Sequence, residues 1–165
     1  MAIHDLLLAE LEGEAVRTRA SLERVPADKA DWAPHAKSMK LGKLAAHLAQ
    51  LGGFGVIMLT TPGLDFATSG MKPLVFESAA QARAAFDQGV AAVKAELSKL
   101  PDDAWTQPWT LRMGDKVFFS GSRFHAYRAM YLNHMVHHRA QLGVYLRLLE
   151  VPVPSVYGPS ADEGA

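Results

Sequence analysis

Three histidines have the residue type and spacing expected of a metal site inside a helical bundle. His134 and His138 are four residues apart in the segment 130–149, which is predicted to be a long helix, and His47 lies in an earlier helical segment. Side chains four residues apart on a helix point the same way. If the two segments pack together, three neutral nitrogen donors converge and leave a coordination position for water or a substrate.

The apolar face of the last helix contains both members of the histidine pair. At roughly 100° per residue, one face collects Tyr127, Tyr131, His134, Met135, His138, Leu142, Tyr145 and Leu149. His137 lies at the edge of this face and is the weaker candidate, although its three-residue spacing from His134 would let it replace His138. The same arithmetic puts His47 on one face with Leu44, Leu51, Phe54 and Met58.

A simpler interpretation competes with a metal site. A single buried histidine usually donates to a backbone carbonyl, and for His47 alone this is the better interpretation. The pair is harder to explain in this way, because burying either imidazole without a partner is costly. A shared cation removes that cost, although His-x-x-x-His pairs also occur by chance on solvated helix surfaces.

The spacing and the composition exclude several other kinds of site. Met135 stands where the glutamate of a His-Glu-x-x-His protease motif would be, and Glu-x-x-His pairs typical of di-iron bundles are absent. The chain has no cysteine, so a sulfur nucleophile would have to come from a bound small-molecule thiol. All-imidazole ligation suits zinc, nickel, copper or iron.

Two polar residues follow the histidine pair. Arg139 and Gln141 are either part of a solvated helix flank, or they orient a ligand or hold a neighbouring helix by a charge-assisted bond. No general base can be identified, and the carboxylates that qualify only by position are Glu10, Glu14, Asp162 and Glu163. The remaining histidines, predicted to be outside the site, are His4, His35 and His125.

Four helical segments position these residues. They are predicted at 3–24, 40–62, 78–100 and from Ser120 or Ser122 to 150. The segment 63–76 is predicted to be a loop, and 105–119 a short hairpin or irregular insert before the last helix. The glycines Gly52, Gly53 and Gly55 would either admit a second helix closely or bend their own. Trp32, Trp105 and Trp109 lie in connecting segments and are predicted to cap the core.

A length of 165 residues suits a single domain, 1–165, in which 151–165 is an extended tail. Alternating prolines keep the tail out of a helix. The tail is either a frayed end or a strap over the bundle, and three apolar side chains, Val153, Val156 and Tyr157, favour the strap.

The charge balance argues against two classes of partner. Lys plus Arg and Asp plus Glu are 17 each, and no basic run is present, so nucleic acid is not an expected partner. The longest apolar run, 51–59, is too short to span a bilayer. The first residues do not resemble a secretory signal, so we expect a cytoplasmic protein without a membrane segment.

Three motifs resemble those of one family. Asn133-His134-Met-Val-His137-His138-Arg139-Ala-Gln141-Leu142 resembles the helix-four signature of the DinB-like (DinB/YfiT) superfamily. Leu44-Ala-Ala-His47-Leu48-Ala49 resembles the helix-two segment of the same family. The C-terminal residues 152–160 are similar to the C-terminal sequences of one branch of the family. Ala140 departs from the pattern, because many relatives have glycine there.

The resemblance implies an all-α, up-down-down-up four-helix bundle that is commonly dimeric. It implies a divalent metal, often zinc or nickel, held by His47, His134 and His138. Characterised relatives include thiol-dependent transferases and isomerases that use bacillithiol, mycothiol or glutathione. The predicted function is therefore a metal-dependent thiol S-transferase or hydrolase-like enzyme acting on a small molecule. The alternative is a non-catalytic metal- or ligand-binding bundle with a structural ion.

Overall fold

A computed structural model describes residues 2–164, so Met1 and Ala165, the ends of the predicted domain, lie outside the described residues. Four long helices form the body of the molecule. They are α1 (Ile3–Leu22), α2 (Leu41–Thr60), α3 (Ala79–Leu97) and α4, which covers residues 123–148. The predicted boundaries are confirmed to within one helical turn. Two 3-10 turns, Ala27–Lys29 and Asp102–Thr106, lie in the connections.

Ion pairs on the surface show how α1 and α3 run. Glu12 in the middle of α1 pairs with Lys94 near the end of α3 at 2.5 Å. Arg19 near the end of α1 pairs with Asp87 in the middle of α3 at 2.7 Å. The two helices are therefore antiparallel.

Glycines bring α2 and α3 into close contact. A Cβ atom at Gly52 would lie 2.4 Å from the Cα of Gly89, and one at Gly55 would lie 2.9 Å from Val93 Cγ2. Residue numbers rise together along this contact, so α2 and α3 are parallel. The predicted role of the small residues in admitting another helix is confirmed at these two positions, whereas Gly53 faces open space.

Helix α4 completes the bundle between α1 and α2. Arg128 pairs with Glu10 of α1, and Arg139, further along α4, pairs with Glu14 of α1, so α4 is parallel to α1. The order of directions is therefore up-down-down-up, as the resemblance implies. Trp105 and Trp109 are fully buried against the core, which confirms that they cap it.

Helix α4 is not a regular α-helix throughout. It begins with Arg123–Tyr127, passes through a π-helical turn at Arg128–Leu132 and continues as Asn133–Leu148. Ser122 is its N-cap, since its Oγ accepts a hydrogen bond from the His125 N–H at 3.2 Å. The π-helical turn, which was not predicted, lies directly before the histidine pair.

A three-stranded sheet stands beside the bundle, so the strictly all-α prediction is wrong for this part of the chain. Strands β2 (Pro108–Met113) and β3 (Lys116–Ser122) form the predicted antiparallel hairpin. Strand β1 (Gly63–Asp65) pairs with β2 in parallel, in a segment predicted to be a loop. Three residues are too few to show a strand period, and the partner of β1 is distant in sequence.

Helix α2 has the length and apolarity of a membrane span, with a mean hydropathy of 1.2 over its most apolar 18 residues. However, 67% of this stretch is buried in the bundle. A helix at the core of a globular bundle has the same length and apolarity, so packing against α3 and α4 accounts for the composition of α2.

The C-terminal tail lies as a strap along α1 and α4. Val153 packs against the core and Pro154 is buried. Arg17 of α1 donates to the Val156 carbonyl at 2.9 Å, and Arg147 of α4 pairs with Asp162 at 2.5 Å. The tail therefore lies over the bundle as a strap, although Tyr157, one of the three predicted apolar anchors, is 66% exposed.

Candidate metal centre

The three predicted histidines meet in the interior between α2 and α4. The Nε2 atom of His134 lies 3.3 Å from Nε2 of His47 and 2.7 Å from Nε2 of His138. One nitrogen from each of the three rings lies within 4.8 Å of the others. His138 is only 6% exposed, and the other two rings are half-buried. We refer to these three residues as the histidine site.

Hydrogen bonds at the far side of two rings determine which nitrogen carries the proton. His138 Nδ1 lies 2.7 Å from Oε1 of Gln141, and His134 Nδ1 lies 3.2 Å from the carbonyl oxygen of Met130. Both partners are acceptors in this arrangement, so each Nδ1 carries the hydrogen and donates it. The Nε2 atoms of His134 and His138 then face each other with lone pairs.

Burial keeps these imidazoles in the form that binds metals. Desolvation, helped by the neighbouring histidines and Lys43, lowers the pKa of His47 from 6.5 to about 4. Desolvation also lowers the pKa of His134 and of His138. The rings are therefore neutral near pH 7, and a neutral imidazole is the protonation state that a metal requires.

The donor set fits a divalent cation. Facing lone pairs in a buried site repel each other unless a positive charge lies between them. Ligand nitrogens around a tetrahedral zinc, at about 2.0–2.1 Å from the ion, lie about 3.3–3.4 Å apart. The separation of 3.3 Å between His47 and His134 matches this spacing, whereas the separation of 2.7 Å between His134 and His138 requires the rings to move apart.

The other histidines do not join this group. His137 is exposed on the outer side of α4, although its ring centroid lies 4.9 Å from that of His138. The structure therefore selects His138 over His137 at the convergence point. The others lie elsewhere, at His4, His35 and His125.

Arg139 and Gln141 have different roles. Gln141 accepts the Nδ1 hydrogen of His138 and so orients that ring. Arg139 points to the other side of α4, where it pairs with Glu14 at 2.5 Å and donates to the Tyr157 hydroxyl at 2.8 Å. Of the two roles considered for Arg139, it therefore holds a neighbouring helix and does not contact a histidine ring.

The four carboxylates considered as bases by position are all engaged with arginines. Glu10 pairs with Arg128, Glu14 with Arg139, Asp162 with Arg147 and Glu163 with Arg24. None of the four lines the cavity next to the histidine site. The described residues therefore offer no carboxylate base there.

A cavity of about 130 Å³ opens beside two of the histidines. Its walls are His47 and His134 together with Gln50, Leu51, Phe54, Phe66 and Met71. Leu51 and Phe54 share the predicted inward face of His47. Phe66 and Met71 were missed, since both lie in the connection between α2 and α3, where no periodic pattern marks an inward side chain.

The family model that describes the DinB superfamily matches residues 10–142. This match includes all three histidines and most of the four helices.

The chain belongs to the DinB superfamily.

Solved structures of DinB-like proteins show the same fold. One from Bacillus cereus ATCC 10987 is 22% identical, with a TM-score of 0.66, and the alignment covers 88% of this chain and 92% of that one. Another from Bacillus subtilis (YjoA) is 13% identical, with a TM-score of 0.70, over 93% of this chain and 99% of that one. None of the curated proteins compared with the chain matches it.

Proposed function

We propose that this DinB protein binds one divalent metal ion through His47, His134 and His138 and uses it to transfer a low-molecular-weight thiol to a small electrophile. Zinc and nickel are the first candidates for the ion, and iron is the next. The observation that carries the proposal is the cavity that opens directly on His47 and His134. A purely structural ion is usually closed off by protein ligands, whereas a catalytic one keeps a position open.

Three neutral ligands suit this chemistry. They leave the full charge of the cation in place, and a bound cation lowers the pKa of a thiol or water that reaches it. In the net reaction, the thiol loses its proton to solvent, its sulfur forms a bond to an electrophilic carbon, and the leaving group departs with its electron pair. No carboxylate base lines the cavity, which is consistent with activation by charge.

The chain itself holds the histidines and places apolar side chains beside them. Gln141 and the Met130 carbonyl fix the orientation of the two rings on α4. The apolar side chains around the cavity lower the local dielectric constant beside the rings and so strengthen the electrostatic interactions there. Since the chain has no cysteine, no thiol of its own competes for the ion.

Metal analysis followed by a thiol panel tests the proposal. Tag-free protein should contain about one metal ion per chain, and His134→Ala should lose it. A cobalt-substituted sample should change its visible spectrum with one of bacillithiol, mycothiol or glutathione, and that thiol should consume a chromogenic electrophile. Metal-free protein from cells with ample metal, or a bound ion that no thiol perturbs, would overturn the transferase proposal.

A structural ion is the second candidate function, and one observation favours it. His47 comes from α2 and the other two ligands from α4, so an ion at this site would cross-link two helices. This alternative predicts a higher melting temperature with metal but no spectral response to thiols.

We also propose a homodimer. Val144 and Leu148, one turn apart on α4, are 58% and 56% exposed, and covering them in a second copy would remove apolar surface from water. Sedimentation velocity should give the dimer mass, and Val144→Glu with Leu148→Glu should give monomers. A monomeric parent protein would exclude this proposal.

A further inference from the structure

The cavity beside the histidine site has a wall composition that selects its ligand. Phe54 and Phe66 present nearly parallel rings, with an interplanar angle of 12° and centroids 6.2 Å apart. Leu51 and Met71 add apolar surface, and no residue that lines the cavity carries a formal charge when the imidazoles are neutral. Such walls favour a flat, uncharged group over a charged one, because a charge would lose its hydration here.

The volume sets the size of that group. An apolar cavity of about 150 Å³ in another protein accommodates benzene, so the volume of about 130 Å³ found here suits a single six-membered ring. Because the cavity is open at one side, a larger molecule could place one ring inside and extend the remainder into solvent.

Gln50 supplies the one neutral amide in these walls. Its Oε1 accepts the Leu74 N–H at 2.7 Å, which fixes the orientation of the carboxamide. Its Nε2 has no acceptor among the side-chain hydrogen bonds of the described residues. A fixed amide with free N–H donors is arranged to bind an oxygen acceptor, such as a carbonyl, on a ligand in the cavity.

The three-stranded sheet holds the aromatic wall in place. The Phe66 N–H donates to the Arg112 carbonyl of β2 at 2.9 Å. The preceding residue, Asp65, accepts from the Gly114 N–H at 3.0 Å and pairs with the Arg112 side chain at 3.1 Å. Phe66 is therefore anchored to the hairpin, although it lies in a connection between helices.

From these contacts we infer that the cavity is the subsite for the electrophilic substrate, and that it takes an uncharged aromatic ring bearing a carbonyl oxygen, to which Gln50 Nε2 donates. That the ligand is a substrate rests on the proposed function. The binding itself depends only on the walls of the cavity. Gln50 is thus a specificity-determining residue, and Phe66 forms the wall of the subsite that is anchored to the hairpin.

Three small probe molecules test the inference on metal-free and zinc-loaded protein. Two of them differ from the first in a single property. Acetophenone has the ring and the carbonyl, ethylbenzene lacks the acceptor, and benzoate adds a charge. By titration monitored with protein NMR, acetophenone should bind with a dissociation constant on the order of millimolar, and perturb the amides of residues 50–54 and 66–71. Ethylbenzene should bind about fivefold more weakly, since one neutral hydrogen bond is lost, and benzoate more weakly still.

Variants locate the interaction. Gln50→Glu keeps an oxygen for the Leu74 N–H and removes the donor, and Gln50→Leu removes both, so each should abolish the preference for acetophenone over ethylbenzene. Phe66→Ala should weaken both aromatic probes. Phe118→Ala is the matched control, because Phe118 is 46% exposed and Phe66 is 42% exposed, yet Phe118 does not line the cavity. Loss of binding in the control alone would contradict the assignment.

The outcomes separate this inference from the proposed function. Equal binding of benzoate and acetophenone, or an unchanged preference in both Gln50 variants, would overturn the subsite whatever the metal content. Selective binding of acetophenone by a protein that holds no metal and ignores thiols would support the subsite and overturn the transferase.

Discussion

His138 and Arg139 are adjacent in the chain but belong to two polar clusters on different sides of α4. His138 belongs to the histidine site, where Nε2 lone pairs face each other at 2.7 Å. Arg139 belongs to a cluster that we call the arginine cluster, which comprises Glu14, Thr18, Arg139 and Tyr157. His138, Arg139 and Glu14 are all buried, yet only the arginine cluster has a partner for each of its charged and hydroxyl groups.

The arginine cluster is satisfied within the protein. Arg139 pairs with Glu14 at 2.5 Å and donates to Thr18 Oγ1 at 3.2 Å. Tyr157 accepts from Arg139 and donates to Glu14 Oε2, both at 2.8 Å. A buried polar group that lacks a partner is costly, so the satisfied cluster indicates structure and the unsatisfied histidine site indicates a place for a ligand.

Arg139→Met should cause the largest loss of stability. It leaves the buried Glu14 carboxylate with the Tyr157 hydroxyl at 2.8 Å and with a single, longer ionic contact, to Arg17 at 3.4 Å, and breaking a buried pair costs about 3–5 kcal/mol. Urea denaturation of the metal-free protein measures the change. The folded fraction should still bind one metal ion per chain.

Replacing both charged partners gives the control for that variant. Arg139→Met combined with Glu14→Gln removes the stranded charge and should recover part of the loss. If Arg139→Met abolished metal binding while the protein remained folded, the separation between the two clusters would be wrong.

His134→Ala should have the opposite effects, with little change in the stability of the metal-free protein and a loss of metal binding. Without metal, it removes a facing lone pair, so the free energy of unfolding should change by about 1 kcal/mol or less. With free zinc at 100 times its dissociation constant, the parent protein should gain about 2.7 kcal/mol, and the variant should gain none. Calorimetry with and without zinc measures both, with exposed His137→Ala as the matched control. An equal zinc response in His134→Ala and the parent would contradict the site.

Gln141→Ala should produce a smaller effect that is confined to metal affinity. Gln141 is exposed and acts through the hydrogen bond from His138 Nδ1 at 2.7 Å. Removing such a partner typically weakens metal binding 10- to 100-fold, a range of about 1.4–2.7 kcal/mol. Chelator competition measures the affinity, and Gln141→Glu, which keeps an acceptor oxygen, should retain most of it. Equal weakening in both variants would show that the acceptor is not the cause.

The sequence was most informative where local periodicity carries the signal. His47, His134 and His138 each lie on an apolar face of a long helix, so their convergence follows from packing those faces together. The hairpin was predicted because apolar residues flank Gly114, which adopts a positive φ of 58°.

Features that depend on distant contacts were not predicted. Arg139 had two equally supported roles, because its partner Glu14 is 125 residues away in sequence. Strand β1 and the side chain of Phe66 depend on pairing with β2, which no local pattern encodes. The π-helical turn at Arg128–Leu132 likewise has no sequence signature.

The histidine site and the tail should respond to acidification at different pH values. The first stage concerns the histidine site in the metal-free protein. The folded pKa of His47 is about 4, below the ordinary 6.5, because of desolvation. The unfolded chain therefore binds more protons over that interval, so stability should fall as the pH drops from 6.5 towards 4. The tail should remain docked through most of this interval.

The second stage concerns the tail, and it has the smallest effect. A hydrogen bond from Arg147 lowers the pKa of Asp162 below 3.8, and the Ser155 N–H lowers that of Glu163 below 4.5. A depressed carboxyl pKa stabilises the folded state above the unfolded value and stops doing so as the pH falls through the folded value, so the tail should loosen only below about pH 4. Because the chain has no cysteine, a dye on Ala161→Cys reports the tail alone, and its anisotropy should fall after the first stage. An earlier fall, near pH 6, would show that the tail and the histidine site respond as one unit, since neither carboxylate takes up a proton there.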